Sequence, residues 1–347
     1  MNSQPRLSIV IPCRNEKTFI GKCLDSIIAN DYPKDKLELF VVDGMSEDGT
    51  REIINQYSQK YAFIRVLENT KKITPCALNI GIRDASGEVV MRIDAHTTVE
   101  KNYISKCITY LIEYKAANVG GVWRILPRNN SLMGKTFTLV LSHPFGIGNA
   151  YYRFIKSGYP LWVDTVPFFC CRKEIFNKIG LFNENLARGQ DQEFNLRLIK
   201  NRMKSLLVPE IVSYYYTQPN LKSFIKHNFI NGVWAILPFR YSRIIPVSLR
   251  HLVPLVFISA VIIFGLSSFI NTGSLYIFAA ILKIYLLTNL YFSAKTAIKE
   301  KDIRFLFLSF FVFAALHASY GLGSLFGLIR YFIYNKASQK SIFYEQP

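Results

Sequence analysis

The sequence predicts an α/β protein: a mixed, mainly parallel sheet between layers of helices, followed by C-terminal transmembrane helices. Three observations predict it. Apolar runs of strand length alternate with helix-spaced segments at the start of the chain, the pattern of a parallel sheet. Polar clusters stand where successive strands end, which is where such sheets bind ligands. The last ~100 residues are dominated by apolar runs close to the length that crosses a bilayer.

Residues 7–11 (Leu-Ser-Ile-Val-Ile) read as a strand, and residues 15–29 have helical spacing, with Phe19, Ile20, Cys23, Leu24, Ile27 and Ile28 on one face. A second strand over 37–42 ends in Asp43, and a helix follows over 48–57. A third strand covers 64–67. The helix over 74–84 has Pro75 in its first turn, where a missing N–H removes no hydrogen bond. The run 89–93 is a buried strand that delivers Asp94-Ala95-His96 to its carboxyl end. The clusters 12–16, Asp43-Gly44 and 94–96 therefore converge on one crevice.

Charge narrows the partners. The 347 residues carry a net charge of +18, which by itself suits nucleic acid. Its distribution does not: residues 200–250 hold eight basic side chains against the single acidic Glu210, and they lead directly into the apolar part. Basic residues beside a span fit the positive-inside rule and anionic lipid, so membrane and not nucleic acid is the expected partner. The six cysteines show neither disulfide nor zinc spacing, and Cys170-Cys171 reads as a pair of buried thiols. The first residues have no signal-peptide apolar core, which places the catalytic part in the reducing cytosol.

Three runs approach spanning length: 252–270, 275–294 and 305–329. The uncharged loop 271–274 is expected outside, and the basic loop 295–304 inside, in agreement with a cytoplasmic N-terminal domain. Three spans would leave Arg330, Lys336 and Lys340 outside, against the rule, unless the glycine-rich third run (Gly321, Gly323, Gly327) re-enters. Lys283 and His317 are ionisable groups within these runs. The expected division is a catalytic domain over 1–221, an interfacial amphipathic segment over 222–250, about three transmembrane helices within 251–330 and a tail over 331–347.

An Asp and a His two apart at a strand's end can both reach one divalent cation, and such a cation can hold a nucleotide diphosphate. The same triplet also suits an ordinary polar loop. Neither a Gly-x-Gly-x-x-Gly nor a Walker-type loop follows the first strand, which argues against a dinucleotide dehydrogenase and a P-loop enzyme. A diphosphate would then need a metal to balance its charge. Asp94 and His96 are its candidate ligands, and an imidazole suits manganese better than magnesium. Asp191 opens a helix, as an N-cap or as a carboxylate whose ionised form the helix terminus stabilises. Asp43 is a turn former before Gly44 or a ligand-binding carboxylate. Trp162, beside Asp164, is a candidate for stacking on a sugar face, Trp123 reads as sheet core or site wall, and 214–216 as a packed strand.

These motifs resemble those of family 2 inverting glycosyltransferases of the GT-A fold, most closely the membrane-bound, succinoglycan-type transferases of bacterial polysaccharide assembly. Ile9-Val10-Ile11-Pro12-Cys13-Arg14-Asn15-Glu16 is similar to the family's opening strand and turn. Asp43-Gly44-x-Ser46-x-Asp48-Gly49-Thr50 is similar to its base-recognition segment, and Pro75-x-Ala77-Leu78-Asn79-x-Gly81 resembles the segment lining the nucleotide. Arg92-x-Asp94-Ala95-His96 resembles the metal-binding Asp-x-Asp, and Arg188-Gly189-Gln190-Asp191-x-Glu193 the motif of the base. Asp164-Thr165-Val166 resembles the acceptor-side strand, and Asn231-Gly232-Val233-Trp234 a segment on an interfacial helix. Two departures stand out. Gln190 replaces the family's frequent Glu, and Phe169 replaces a small residue, which would narrow the acceptor site.

The resemblance implies that Asp191 is the catalytic base, and that Pro12, Glu16, Asp43, Asn79 and Asp94 bind the donor. It implies that Asp94 and His96 hold Mn2+ or Mg2+, and that Trp162, Asp164, Arg188, Gln190 and Trp234 face the acceptor. The expected enzyme moves a sugar from a nucleotide-sugar donor, UDP by default and GDP as the other possibility, to a hydroxyl of a lipid-linked glycan. It would do so at the bacterial inner membrane, as a multi-pass protein with its catalytic domain in the cytoplasm. A polyprenyl-phosphate sugar synthase and a non-catalytic glycan-binding partner are the alternatives.

Overall fold

The computed structural model describes residues 4–241 and 249–333. Parts of the expected interfacial segment (242–248) and of the tail (334–347) lie outside the described residues. The chain forms two compact units, Met1–Arg124 with Tyr151–Tyr216, and Ile125–Ala150 with Thr217–Pro347. The stretch 125–150, expected within the catalytic domain, thus folds with the C-terminal helices.

The first unit is built on a nine-stranded sheet. β1 (Leu7–Cys13), β2 (Leu37–Asp43), β3 (Ile64–Glu68) and β4 (Val89–Arg92) are joined by α1 (Ile20–Ile28), α2 (Thr50–Lys60) and α3 (Thr74–Asp84). These four strands are parallel, in the order β3-β2-β1-β4. β5 (Thr97–Val99), α4 (Tyr103–Glu113) and β6 (Asn118–Leu126) come next. After α5 (Leu132–Leu141) and α6 (Pro144–Ile147) of the second unit, the chain returns as β7 (Leu161–Val163), β8 (Cys170–Arg172), α7 (Glu174–Ile179), α8 (Gln190–Lys200) and β9 (Ser205–Tyr216). β8 runs antiparallel to β4 and β6, and β9 antiparallel to β5 and β7. A parallel half thus continues into an antiparallel half.

Alternation along the strands buries both faces of the sheet. Ile9, Leu39 and Met91 pack on one side with Cys23, Leu24 and Ile104, and Val10, Phe40 and Val90 on the other with Leu78, Phe176 and Phe194. Cys170 and Cys171 fall on opposite faces by the same period, and all six thiols are buried and free. Phe169, expected to narrow the acceptor site, lies in the second cluster instead. Its ring is 5.5 Å from Phe182 and 5.6 Å from Phe176, so it fills core.

The second unit adds α9 (Leu221–Ile236), α10 (Val253–Ser267), α11 (Thr272–Glu300) and α12 (Arg304–Ile333). Among the described residues only α11 and α12 are long and apolar enough to cross a membrane. α10 has 15 residues and spans about 22 Å, less than the hydrocarbon core. The described residues therefore contain two candidate spans where three were expected. The glycines of the third run do not break it, because α12 is continuous. They permit close packing instead: a Cβ on Gly323 would lie 2.0 Å from the Phe229 carbonyl oxygen of α9, and one on Gly321 2.5 Å from the Pro254 oxygen of α10. His317 is held at both ring nitrogens, by Tyr285 Oη at 3.1 Å and the Phe145 carbonyl at 2.9 Å, which is a structural arrangement. Lys283 is exposed on α11.

Candidate active site

The site forms where β1, β2 and β4 end. The loop after β1 is tied to the loop after β2 by four short polar contacts. Asn15, in the left-handed region at φ 54°, donates its N–H to Ser46 Oγ (2.9 Å) and accepts from the Glu47 N–H (3.0 Å). The Glu16 N–H donates to Thr50 Oγ1 (2.8 Å) and the Lys17 N–H to Asp48 Oδ2 (3.1 Å). Gly49 precedes α2 at φ 94°, a conformation that disfavours any side chain. The residues of the sequence motif therefore shape the crevice wall, with Pro12 partly buried at the end of β1.

Asp43 is fully buried. Its carboxylate accepts from the Ser46 N–H (3.1 Å) and Ser46 Oγ (2.5 Å) and faces Arg51 Nε at 3.4 Å. It forms the turn after β2. Asn79 is further from its expected role. Its Nδ2 donates to the Phe182 carbonyl (2.9 Å) and Glu184 Oε1 (3.0 Å), and its Oδ1 accepts from the Phe182 N–H (2.9 Å). Both polar atoms of the amide clamp the 182–184 segment onto α3.

Arg92, 5% exposed, stands at the centre. Its guanidinium donates to Asp94 at 2.6 and 3.1 Å and to the Asp191 carboxylate. Burial works against its charge, and the two carboxylates more than offset that. β4 supplies Arg92, and the turn after β4 supplies Asp94. Asp191 comes from the first turn of α8, which follows Gly189 in the left-handed region at φ 78°. Burial raises the Asp191 carboxyl above the usual range, with Asp94 adding to the rise and Arg92 opposing it. About a third of this side chain (34%) still faces solvent, so the carboxylate is reachable from the crevice.

His96 lies one residue beyond the Asp94-Ala95 turn. Its Nδ1 is 3.1 Å from Glu16 Oε1. Burial lowers the tendency of the ring to protonate, but the hydrogen bond and charge of Glu16 outweigh it, and the net shift is upward. Glu16 thus orients His96 and was missed in that role, since the two are 80 residues apart. In the neutral tautomer whose Nδ1–H donates to Glu16, Nε2 has no hydrogen bond to the described residues and keeps its lone pair. Asp94 and His96 stand on one turn as the candidate cation ligands, with both Asp94 oxygens engaged by Arg92 and no three-ligand cluster among the described residues.

An aromatic wall stands beside His96. Tyr215 meets the imidazole edge-on at 5.7 Å and stacks on Trp123 at 4.6 Å with the rings 4° from parallel. Arg153 caps Trp123 at 5.1 Å. Phe168, a bulky residue at φ 60°, sits 5.8 Å from Trp123 and 5.9 Å below Arg92. A strained backbone there aims a ring under the central arginine. The sequence reading named Trp123 as core or wall but had no signal for its pairing with Tyr215. Arg188 is within electrostatic reach of Tyr215, and burial lowers its pKa. Gln190 is buried with an unpartnered Oε1, and Asp164 is partly buried after β7.

Trp162 is not brought to this site. It pairs with Leu206 at the start of β9, whereas Tyr215 beside His96 pairs with Thr97 at its end. Nine residues of strand, about 30 Å, separate the two positions. Trp234 belongs to the second unit, on α9, with its indole N–H unpartnered.

Comparison with known proteins identifies the family and the fold. The sequence profile described as Glycosyl transferase family 2 matches residues 8–180. A Methanococcus voltae protein named dolichyl N-acetyl-alpha-D-glucosaminyl phosphate 3-beta-D-2,3-diacetamido-2,3-dideoxy-beta-D-glucuronosyltransferase is 32% identical over 332 residues, 93% of this chain and 97% of that protein. The succinoglycan biosynthesis protein ExoA of Rhizobium meliloti is 25% identical over 68% of this chain and 75% of its own length. Among solved structures, the mannosyltransferase PcManGT of Pyrobaculum calidifontis, in complex with GDP-Man and Mn2+, has the same fold. Its TM-score is 0.62 at 19% identity, over 94% of this chain and 88% of that one.

Proposed function

The chain belongs to glycosyl transferase family 2, and from that premise we propose that it is a membrane-bound, inverting transferase. It moves a sugar from a nucleoside-diphosphate donor to a hydroxyl of a lipid-linked glycan. The observation that carries this reading is the meeting of Asp94 and Asp191 on Arg92 at the end of β4. In this reading the first carboxylate serves the diphosphate and its counter-ion, and the second, about a third exposed (34%), serves the acceptor.

An acceptor hydroxyl is a weak nucleophile at neutral pH, so a carboxylate must take its proton as the glycosidic bond forms. Asp191 is that group in our reading. The new C–O bond forms as the bond from the anomeric carbon to the diphosphate breaks. The proton passes to Asp191, and the diphosphate leaves with the electron pair, which inverts the anomeric carbon. Asp94 and His96 would hold a divalent cation, which would supply charge to balance the departing diphosphate. Glu16 keeps the His96 Nε2 lone pair available, and Arg92 holds Asp191 in place. The wall of Trp123 and Tyr215, with Arg188, Gln190 and Asp164, is the acceptor side. The loops at 12–16 and Asp43 are the donor side, with UDP as the first donor to test.

The lipid-linked acceptor is supported by the name of the Methanococcus relative, which contains a dolichyl phosphate sugar, and by the two long apolar helices α11 and α12. The basic stretch 200–250 before the long apolar helices supports a cytoplasmic catalytic unit. A direct test is nucleotide release by detergent-purified protein with a panel of nucleotide sugars, manganese and a prokaryotic lipid extract. The reading predicts release with one donor, dependent on lipid, lost with chelator, and giving an inverted linkage by NMR. Retention of the donor's anomeric configuration would overturn the mechanism.

A further inference from the structure

A second cleft opens at the opposite end of the strands, with a volume of about 440 Å3. Arg172, in its wall, pairs with Val89 at the start of β4, whereas Asp94 follows the end of that strand. The cleft and the Asp94–Asp191 crevice are thus separate. Its volume falls inside the range of about 300–1,000 Å3 typical of small-molecule sites.

Its lining has a distinct chemistry. Five cations, Lys115, Arg172, Lys178, Arg202 and Lys204, surround it against one carboxylate, Glu174. Among the described residues only Lys178 has a carboxylate within ion-pair reach, Glu174 at 3.6 Å. Trp162, 48% exposed, stands at the wall with Tyr114 edge-on at 6.5 Å and the Lys204 ammonium 5.8 Å from its ring. Like charges gathered without partners repel one another, and a half-exposed indole leaves apolar area in water. Both costs are relieved by a ligand with an apolar face and an anionic rim. A pyranose bearing a carboxylate or phosphate has that form: its C–H face lies on an aromatic ring, and its anionic group meets Arg or Lys. A bare lipid phosphate would use the cations and leave Trp162 unused.

We propose that this cleft is a second, non-catalytic glycan site that binds an acidic sugar residue, with Trp162 as the stacking platform and Arg172 and Lys204 as the anion contacts. It goes beyond the transfer reaction and does not depend on it. It gives the protein a hold on an anionic glycan away from the reacting end.

The test is calorimetric titration of the full chain in detergent with an oligogalacturonate trimer, a neutral trisaccharide, and glycerol 3-phosphate as a phosphate without a sugar. Saturable binding of the acidic trimer is expected, unchanged in Asp191→Asn and weakened by salt. It should fall about tenfold or more, ~1.4 kcal/mol, in the double variant Arg172→Gln/Lys204→Gln and in Trp162→Ala. Thermal melting checks that these surface variants stay folded. Equal affinity for the neutral trisaccharide would overturn the proposal, as would full competition by glycerol 3-phosphate with Trp162→Ala binding as wild type. Absence of saturable binding to the acidic trimer would also overturn it. None of these outcomes touches the assignment of Asp191, which the nucleotide-release assay tests separately.

Discussion

Arg92 holds Asp191 and Asp94 on one guanidinium, so the group proposed to take a proton and a proposed ligand of the cation share a buried partner. Two consequences follow for Arg92→Met. Removing one member of a buried pair leaves uncompensated charge, at about 3–5 kcal/mol, with the lower end expected because Asp191 is partly solvated. The loss of Arg92 also removes the one influence that lowers the Asp191 carboxyl. Activity that needs ionised Asp191 should then fail at higher pH on the acid side. Melting temperature and a pH–rate profile of the variant check both, and an unmoved acid limb would contradict the second.

Glu16→Gln should weaken cation dependence without removing either ligand. The Glu16 carboxylate fixes the imidazole by its contact with Nδ1, and such partners commonly change metal affinity about 10–100-fold. Manganese titration of activity at fixed donor should shift to higher concentration by that order, with the same plateau rate.

Asn79→Ala is predicted to destabilise the first unit and leave the donor KM nearly unchanged, because its amide binds Phe182 and Glu184. Its three hydrogen bonds predict a loss of about 2–3 kcal/mol. A large rise in donor KM with unchanged melting would restore it to the donor site.

The same clamp predicts an acid-side dependence of stability. The Asn79 and Lys71 hydrogen bonds hold the Glu184 carboxyl down at about 2 against an ordinary value of 4.5. A folded-state value below the unfolded one adds stability above the unfolded value, and that stability disappears as pH falls from about 4.5 toward about 2. The melting temperature of Glu184→Gln should therefore decline less over this window than that of the wild type.

In the second unit, Gly323→Ala should destabilise strongly, since its Cβ would lie 2.0 Å from the backbone oxygen of Phe229. Overpacking costs about 1–3 kcal/mol where side chains can adjust, and a helix backbone adjusts less. Gly265→Ala, whose nearest contact is the Phe278 ring at 3.3 Å, is the tolerated comparison in thermal melting.

The parallel half of the fold and the loops that end its strands were legible because they rest on local patterns: period-two burial, helical spacing and polar residues at strand ends. The Asp94–His96 turn and the opening of α8 at Asp191 were legible for the same reason. What was not legible depends on distance along the chain. Glu16 reaches His96 across 80 residues, Asn79 reaches Phe182 across 103, and no local spacing records either contact. Trp162 lies beside Asp164 in sequence, but strand pairing sends it to the far end of β9. The glycines of α12 suggested a re-entrant run because their reason, close packing on the backbone of α9 and α10, stands elsewhere in the chain.

The central claim is that Asp191 takes the acceptor proton. Its most direct test compares donor binding by calorimetry with single-turnover transfer in wild type and Asp191→Asn. The account predicts donor affinity within a factor of about two and a transfer rate lower by about 10²–10⁴-fold, since Asn keeps the size and loses the basic oxygen. Transfer at the wild-type rate in Asp191→Asn, with donor affinity unchanged, would contradict it.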